Sequence, residues 1–135
     1  MAKRLLLTGA NGFVAGSIIE AAAGPWEVHA ASRGVAPVER EGLVWHSFDP
    51  MDMDAFHDVF HDIEPAAVIH TAAIADIDLC EANRELATRV NYTYAHDLAE
   101  ICWDHDTRFI FLSTDTVFDG ERGMYTEKDI PRPIN

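Results

Sequence analysis

Two glycines three residues apart, in Thr8-Gly9-Ala10-Asn11-Gly12-Phe13-Val14, carry the first chemistry in this chain. Glycine lets a backbone turn sharply and approach a ligand closely. Before them, Leu5-Leu6-Leu7 is an apolar run too short for a helix and suited to a strand buried on both faces. After them, Phe13, Val14, Ile18, Ile19 and Ala22 fall at helical spacing. A glycine turn that feeds a helix N-terminus presents free N–H groups and the positive end of a dipole, a place for a pyrophosphate. The spacing Gly9-x-x-Gly12-x-x-Ala15 departs from G-x-G-x-x-G, with Ala15 third and Gly16 beside it. Alanine still lets helix and strand pack closely.

Three further strand ends bear on the same ligand. An acid about 20 positions past the glycines takes a ribose 2′-hydroxyl and marks NAD. This chain has Ser32-Arg33-Gly34 there. A hydroxyl and a guanidinium suit a 2′-phosphate, so NADP(H) is favoured and NAD(H) stays open; Arg33 as a solvated turn residue is the bland alternative. Thr71-Ala72-Ala73 follows the apolar run Ala66 to Ile69, and small residues at a strand's carboxyl end leave room for a ligand or for tight packing. Ser113-Thr114-Asp115 ends the run Arg108 to Leu112, where hydroxyls either meet a substrate or cap local N–H groups. His57 and His61, four apart on a helix, either chelate a metal or belong to a solvated face, and the second reading is preferred.

These groups need a scaffold. The pattern predicts a helix over Gly12–Ala23, stopped by Gly24-Pro25, and a strand over Trp26–Ser32. Next come a strand at Leu43–His46 and a helix over Met51–Ile63, with Met53, Phe56, Val59, Phe60 and Ile63 inward. A fourth strand covers Ala66–His70 and a fifth Arg108–Leu112. Between them Leu86, Val90, Ala95, Leu98 and Cys102 trace one face of a single long helix from Asn83 to His105. Glu121–Asn135, with Pro131 and Pro133, reads as loop. The order β-α-β-β-α-β-α-β implies an α/β fold: a Rossmann-type, doubly wound parallel sheet, incomplete at its C-terminal side.

Bulk properties exclude several classes. A net charge of −13 over 135 residues disfavours nucleic acid and anionic membrane surfaces. There is no apolar run of about 18 residues, and Lys3-Arg4 followed directly by a core strand is not expected to be a signal peptide. Cys80 and Cys102 lack metal-type spacing and read as reduced thiols, which points to the cytoplasm.

Thr8–Val14 resembles the T-G-x-x-G-x-x-G loop of the extended short-chain dehydrogenase/reductases. Ile69-His70-Thr71-Ala72-Ala73 with Asp78-Leu79-Cys80-Glu81 looks like the strand-four segment of dTDP-4-dehydrorhamnose reductases. Leu112-Ser113-Thr114-Asp115-Thr116-Val117-Phe118-Asp119-Gly120 is similar to that family's S-T-D-Y-V-F-x-G stretch, with Thr116 in place of tyrosine. The resemblance implies NAD(P)H-dependent reduction of a 4-keto sugar carried on a nucleotide diphosphate. It places Gly9, Asn11, Gly12, Phe13 and Val14 at the pyrophosphate loop and Asp49 and Pro50 near the adenine. Thr71, Ala72, Ala73, Leu112 and Ser113 would line the cofactor, Thr114 would hydrogen-bond the substrate oxygen, and Asp115 would touch substrate. A hydroxyl beside a developing alkoxide stabilises charge where it appears.

One departure is large. The family needs Tyr-x-x-x-Lys, the lysine lowering the tyrosine's pKa. Tyr92, Tyr94 and Tyr125 have His96, Leu98 and Asp129 as fourth neighbours. Asn135 falls where the family reads P-x-N before that tyrosine, so residues 1–135 are expected to be a partial dinucleotide-binding domain. An exposed sheet face is expected with it, and a homo-oligomer or a complementing chain stays open. A non-catalytic dinucleotide-binding or regulatory protein, and a nucleotide-sugar epimerase or dehydratase, are the alternatives.

Overall fold

Leu5, Leu6 and Leu7 lie at the centre of a five-stranded parallel sheet. The computed structural model describes residues 2–37, 39–49 and 51–134. Its strands are β1 (Lys3–Thr8), β2 (Trp26–Ser32), β3 (Leu43–Ser47), β4 (Ala67–His70) and β5 (Arg108–Phe111), in the order β3-β2-β1-β4-β5. The order reverses at β1, as in a doubly wound dinucleotide fold. Helix α1 (Phe13–Ala22) joins β1 to β2, and α2 (Met53–Ile63) joins β3 to β4.

The period of two along the strands splits the core between two faces. Leu6, Ala31 and Val68 meet Phe56, Phe60 and Ile63 of α2 on one side. Leu5, Val28 and Ala67 meet Ala22, with Ile18 and Ile19 of α1, on the other. Phe56 is fully buried, worth about 2–3 kcal/mol by transfer of its side chain from water. Asp52 starts α2: its Oδ1 accepts from the Ala55 N–H at 3.0 Å, and Glu64 closes the helix in the left-handed region.

The predicted long helix is broken. The structure has α3 (Ile77–Ala82), α4 (Arg84–Thr88), a π turn over Arg89–Thr93 and α5 (Tyr94–Asp104). Asn83 leaves helical geometry, and its side chain caps α4 through the Leu86 N–H at 3.1 Å. The π turn carries Asn91, whose side chain accepts from the Ile74 N–H at 2.8 Å and donates to the Ile74 carbonyl at 3.0 Å. That pairing ties the helical layer to the segment leaving β4. Leu86 is accordingly exposed, and the inward face is Tyr94, Ala95, Leu98, Ile101 and Cys102.

Right-handed crossovers put α1 on one face and α2 and α5 on the other. The described residues between β2 and β3 contain no helix, so among the described residues α1 alone covers its face. Over β4 and β5 this leaves a hollow of about 860 Å³ lined by Ile18, Ala22, Ile69, Trp103 and Ile110. No helix among the described residues is long and apolar enough to cross a membrane.

Candidate functional site

Parallel register brings the expected residues to one edge. His46, Ala31, Thr8, His70 and Phe111 lie side by side across the sheet. The next residue on each strand therefore forms a rim of Ser47, Ser32, Gly9, Thr71 and Leu112 at the carboxyl ends, where open α/β sheets bind ligands.

Gly9 sits in the left-handed region, φ +76°, and a Cβ there would lie 2.4 Å from the Ala72 nitrogen. Its N–H and that of Ala10 both donate to the Ala31 carbonyl, at 3.1 and 3.2 Å. Gly12 donates to the Gly9 carbonyl at 2.9 Å and then starts α1 with no side-chain cap. The first turn of α1 holds no acidic residue. Its leading N–H groups are thus available to an anion. Phe13 and Val14 are 95% and 47% exposed, so the first two apolar residues of α1 belong to the rim and not to the core as their spacing suggested. Ala15 is fully buried in the third glycine position, while Gly16 has open space around its α-carbon.

Asn11 reaches across the rim: its Nδ2 donates to the Arg33 carbonyl at 2.8 Å. Arg33 is exposed and Ser32 is buried. Asp49 is exposed two residues past β3, and its Oδ1 accepts from the Met51 N–H at 2.9 Å. Pro50 lies outside the described residues, as does Asn135.

The Thr71 hydroxyl donates to the carbonyls of Thr8 and Gly9, at 2.8 and 3.2 Å. It is committed to holding the glycine loop against β4. Ala72 is half-buried, and Ala73, Leu112 and Ser113 are exposed. Thr114 precedes a short 3-10 turn (Asp115–Val117), and its Oγ1 accepts from the Thr116 N–H at 3.2 Å. Thr114 and Asp115 are exposed beyond β5, with the Thr114 hydroxyl used as a cap in this state.

Behind the rim lies a buried polar group that sequence reading passed over. Thr8 Oγ1 and His70 Nδ1 share a hydrogen bond of 2.6 Å. The His70 ring packs edge-on to Tyr94 and stacks near Phe111. His70 Nε2 and Tyr94 Oη are buried without a hydrogen-bond partner. Burial pulls the imidazole down to about 4 and pushes the Tyr94 phenol up, with nearby Asp49 adding to the latter. Asn91 was also missed, although an asparagine in mid-helix is a signal of local side-chain bonding to backbone.

The last segment, Glu121 onward, contains no helix or strand among the described residues, but it is tied down. Tyr125 stacks on Phe118 with ring centroids 4.5 Å apart, and its hydroxyl donates to Asp119. That bond raises the Tyr125 pKa, the reverse of what a proton donor poised by a lysine needs. Arg122 pairs with Asp129, and the Arg132 N–H donates to the Val117 carbonyl at 2.8 Å.

These residues fit a dinucleotide. The loop can be formed only with glycine at position 9, the helix end behind it is uncapped, and its first turn brings no negative charge.

Comparison with known proteins agrees. Over 90 residues, 66% of this chain, it is 44% identical to the probable low-salt glycan biosynthesis reductase Agl14 of Haloferax volcanii, of which the match covers 30%. It is 31% identical to methionine adenosyltransferase 2 subunit beta of Rattus norvegicus over 98% of this chain and 39% of that protein. A hypothetical dTDP-4-dehydrorhamnose reductase from Sulfolobus tokodaii superposes with a TM-score of 0.85 at 32% identity, over 98% of this chain and 46% of that one. The dTDP-4-dehydrorhamnose reductase of Bacillus anthracis, solved in complex with NADP, gives 0.76 at 28% identity, over 100% of this chain and 45% of that one. The chain thus spans less than half the length of each of these proteins. The RmlD substrate binding domain matches residues 3–135, and the chain belongs to that family.

Proposed function

We propose that this chain is the dinucleotide-binding part of an NAD(P)H-dependent reductase acting on a nucleotide-linked 4-keto sugar. The observation that carries the reading is the uncapped start of α1 behind Gly9 and Gly12, set on the same rim as Thr71 and Leu112. The names of the Haloferax and Bacillus proteins, both reductases, support it, as does the NADP held by the latter.

When bound, the dinucleotide supplies the hydride that goes to the keto carbon. The chain's own residues bind and orient. The α1 N–H groups at Phe13 and Val14 neutralise the pyrophosphate, with Asn11 and Gly12 shaping the loop. Asp49 faces the adenine end. Arg33, with Ser32 beside it, meets a 2′-phosphate, so NADP(H) is preferred over NAD(H). Thr71, Ala72, Ala73, Leu112 and Ser113 border the nicotinamide. Thr114 exchanges its cap for a bond to the substrate oxygen, and Asp115 touches the sugar nucleotide. Within residues 1–135 no tyrosine has a lysine four positions on, Tyr125 is bound to Asp119 and Tyr94 is buried, so this reading takes the proton for that oxygen from elsewhere in the complete protein. Free Cys80 and Cys102 suit a reducing cytoplasm.

The test is NADPH titration of this chain, followed by NADPH oxidation by the complete gene product with a dTDP-4-keto-6-deoxy sugar. Binding by the chain, and turnover that Thr114→Val reduces by about 10²-fold or more, are expected. Failure of the chain to bind NADPH contradicts the reading.

A second reading has its own observation. Similarity to the methionine adenosyltransferase subunit runs over 98% of the chain and 39% of that protein. A non-catalytic, dinucleotide-binding regulatory subunit would bind NADPH and oxidise none.

A further inference from the structure

Arg33 has no helix to station it. Parallel neighbours usually join through a crossover helix, whose packing fixes the end of the preceding strand. Here the described residues between Ser32 and Leu43 hold none, and Val35 is 86% exposed. Two side-chain hydrogen bonds hold the turn instead. Asn11 Nδ2 donates to the Arg33 carbonyl at 2.8 Å, from the glycine loop. Trp45 Nε1 donates to the Gly34 carbonyl at 3.1 Å, from the edge strand β3. Gly34 takes φ +88° with open space where a Cβ would be, so the turn needs the backbone geometry and not the room. The Arg33 backbone is thereby held from both sides, while its guanidinium makes no ion pair among the described residues.

We propose that Trp45 is a positioning residue for 2′-phosphate recognition: its indole N–H, by holding the Gly34 carbonyl, fixes the turn from which Arg33 meets the 2′-phosphate of NADP(H). The inference rests on the assignment of Arg33 to that phosphate. Its physical content is preorganisation. A cation whose backbone is already fixed loses less freedom when the phosphate arrives. In a chain of net charge −13 this matters more, because the overall field repels the ligand. NADH lacks the 2′-phosphate that Arg33 meets, so it gains less from a fixed turn.

The test is the ratio of NADPH to NADH affinity, measured by fluorescence titration on the wild-type protein, Trp45→Phe and Arg33→Ala. Phenylalanine keeps one aromatic ring and deletes the donor, and NADH affinity is the control for the volume lost with the indole. Trp45→Phe is expected to weaken NADPH by about 3- to 10-fold and to change NADH by less than about twofold, the size of one neutral hydrogen bond. Equal weakening of both, or of neither, overturns the inference. A ratio that Arg33→Ala leaves unchanged overturns the underlying assignment as well. A ratio that collapses in Arg33→Ala but survives in Trp45→Phe overturns the role of Trp45 alone. A second readout needs no variant at position 45. The Trp45 indole N–H resonance, identified by substituting Trp26 and Trp103, is expected to shift with 2′,5′-ADP and not with 5′-AMP. The same shift with both ligands, or with neither, contradicts the proposal.

Discussion

Gly9 of the glycine loop and Ala72 beyond β4 are in backbone contact: a Cβ on Gly9 would sit 2.4 Å from the Ala72 nitrogen and 2.7 Å from its α-carbon. The two carboxyl ends that define the rim are thus locked by a contact only glycine allows. Backbone atoms cannot step aside as a flexible side chain can, and φ +76° adds conformational strain for any other residue. Gly9→Ala is expected to cost about 2–4 kcal/mol and to remove NADPH binding. Gly16→Ala has open space in a helix and is expected to stabilise by about 0.5–1 kcal/mol with binding intact. Denaturant unfolding and NADPH titration of both variants check the pair.

Acid should weaken the fold through His70. The folded imidazole is held down to about 4 by burial, against 6.5 for a free one. Below pH 6.5 the unfolded chain takes up the proton first, so stability is intact above that value and falls as pH drops toward 4. One pKa unit corresponds to about 1.4 kcal/mol, so the loss across that window is about 3 kcal/mol. The His46 ring, also lowered by burial and by His29 against the opposing pull of Asp62, adds in the same direction. Unfolding free energies measured between pH 7 and pH 4.5 should show this slope, and His70→Asn should flatten it. An equal slope in the variant would remove His70 as the cause.

Asn91 stands in for a backbone strand partner at Ile74. Asn91→Leu leaves the Ile74 N–H and carbonyl without their partner and is expected to cost about 1–3 kcal/mol. Amide exchange at Ile74 should accelerate more than at Leu98, which is buried in the core of α5. Uniform acceleration would mean that the pair does not hold this segment.

The uncovered sheet face makes residues 1–135 sticky when produced alone. Trp103 is 86% exposed and Ile110 is 42% exposed beside the 860 Å³ hollow. Such a polypeptide is expected to bind a hydrophobic dye and to self-associate. Ile110→Lys should reduce both without lowering the unfolding midpoint by more than a few degrees, as scattering and thermal melts would show. A monomer that binds no dye contradicts this.

Much of this was legible before the fold was known, and the misses have physical causes. β2, Trp26–Ser32, is bounded correctly at both ends because Pro25 and Gly34 punctuate the stretch that holds it. The rim was legible because parallel strands end in register once their order is known. The break in the long helix was written in the spacing but averaged away: Val90 to Ala95 is a step of five, the extra residue that the π turn accommodates. Phe13 and Val14 matched a helical stripe, yet the first turn of α1 projects beyond the sheet edge and has nothing to pack on. Tyr94 and Trp45 carry no motif, and the stretch that holds His70 gives that ring no role; what these residues do comes from contacts between elements that periodicity does not report.

The most direct test of the account is calorimetric titration of NADPH into the wild-type protein and Val14→Asp. Val14 is half exposed on the first turn of α1 and lies outside the buried core, so a carboxylate there costs little packing. It is favourable to the helix dipole but faces the proposed pyrophosphate. Wild-type binding is expected, with a loss of at least about tenfold in Val14→Asp and an unfolding midpoint that is unchanged or raised. NADPH bound equally well by both proteins, or by neither, would contradict a dinucleotide site at this helix end.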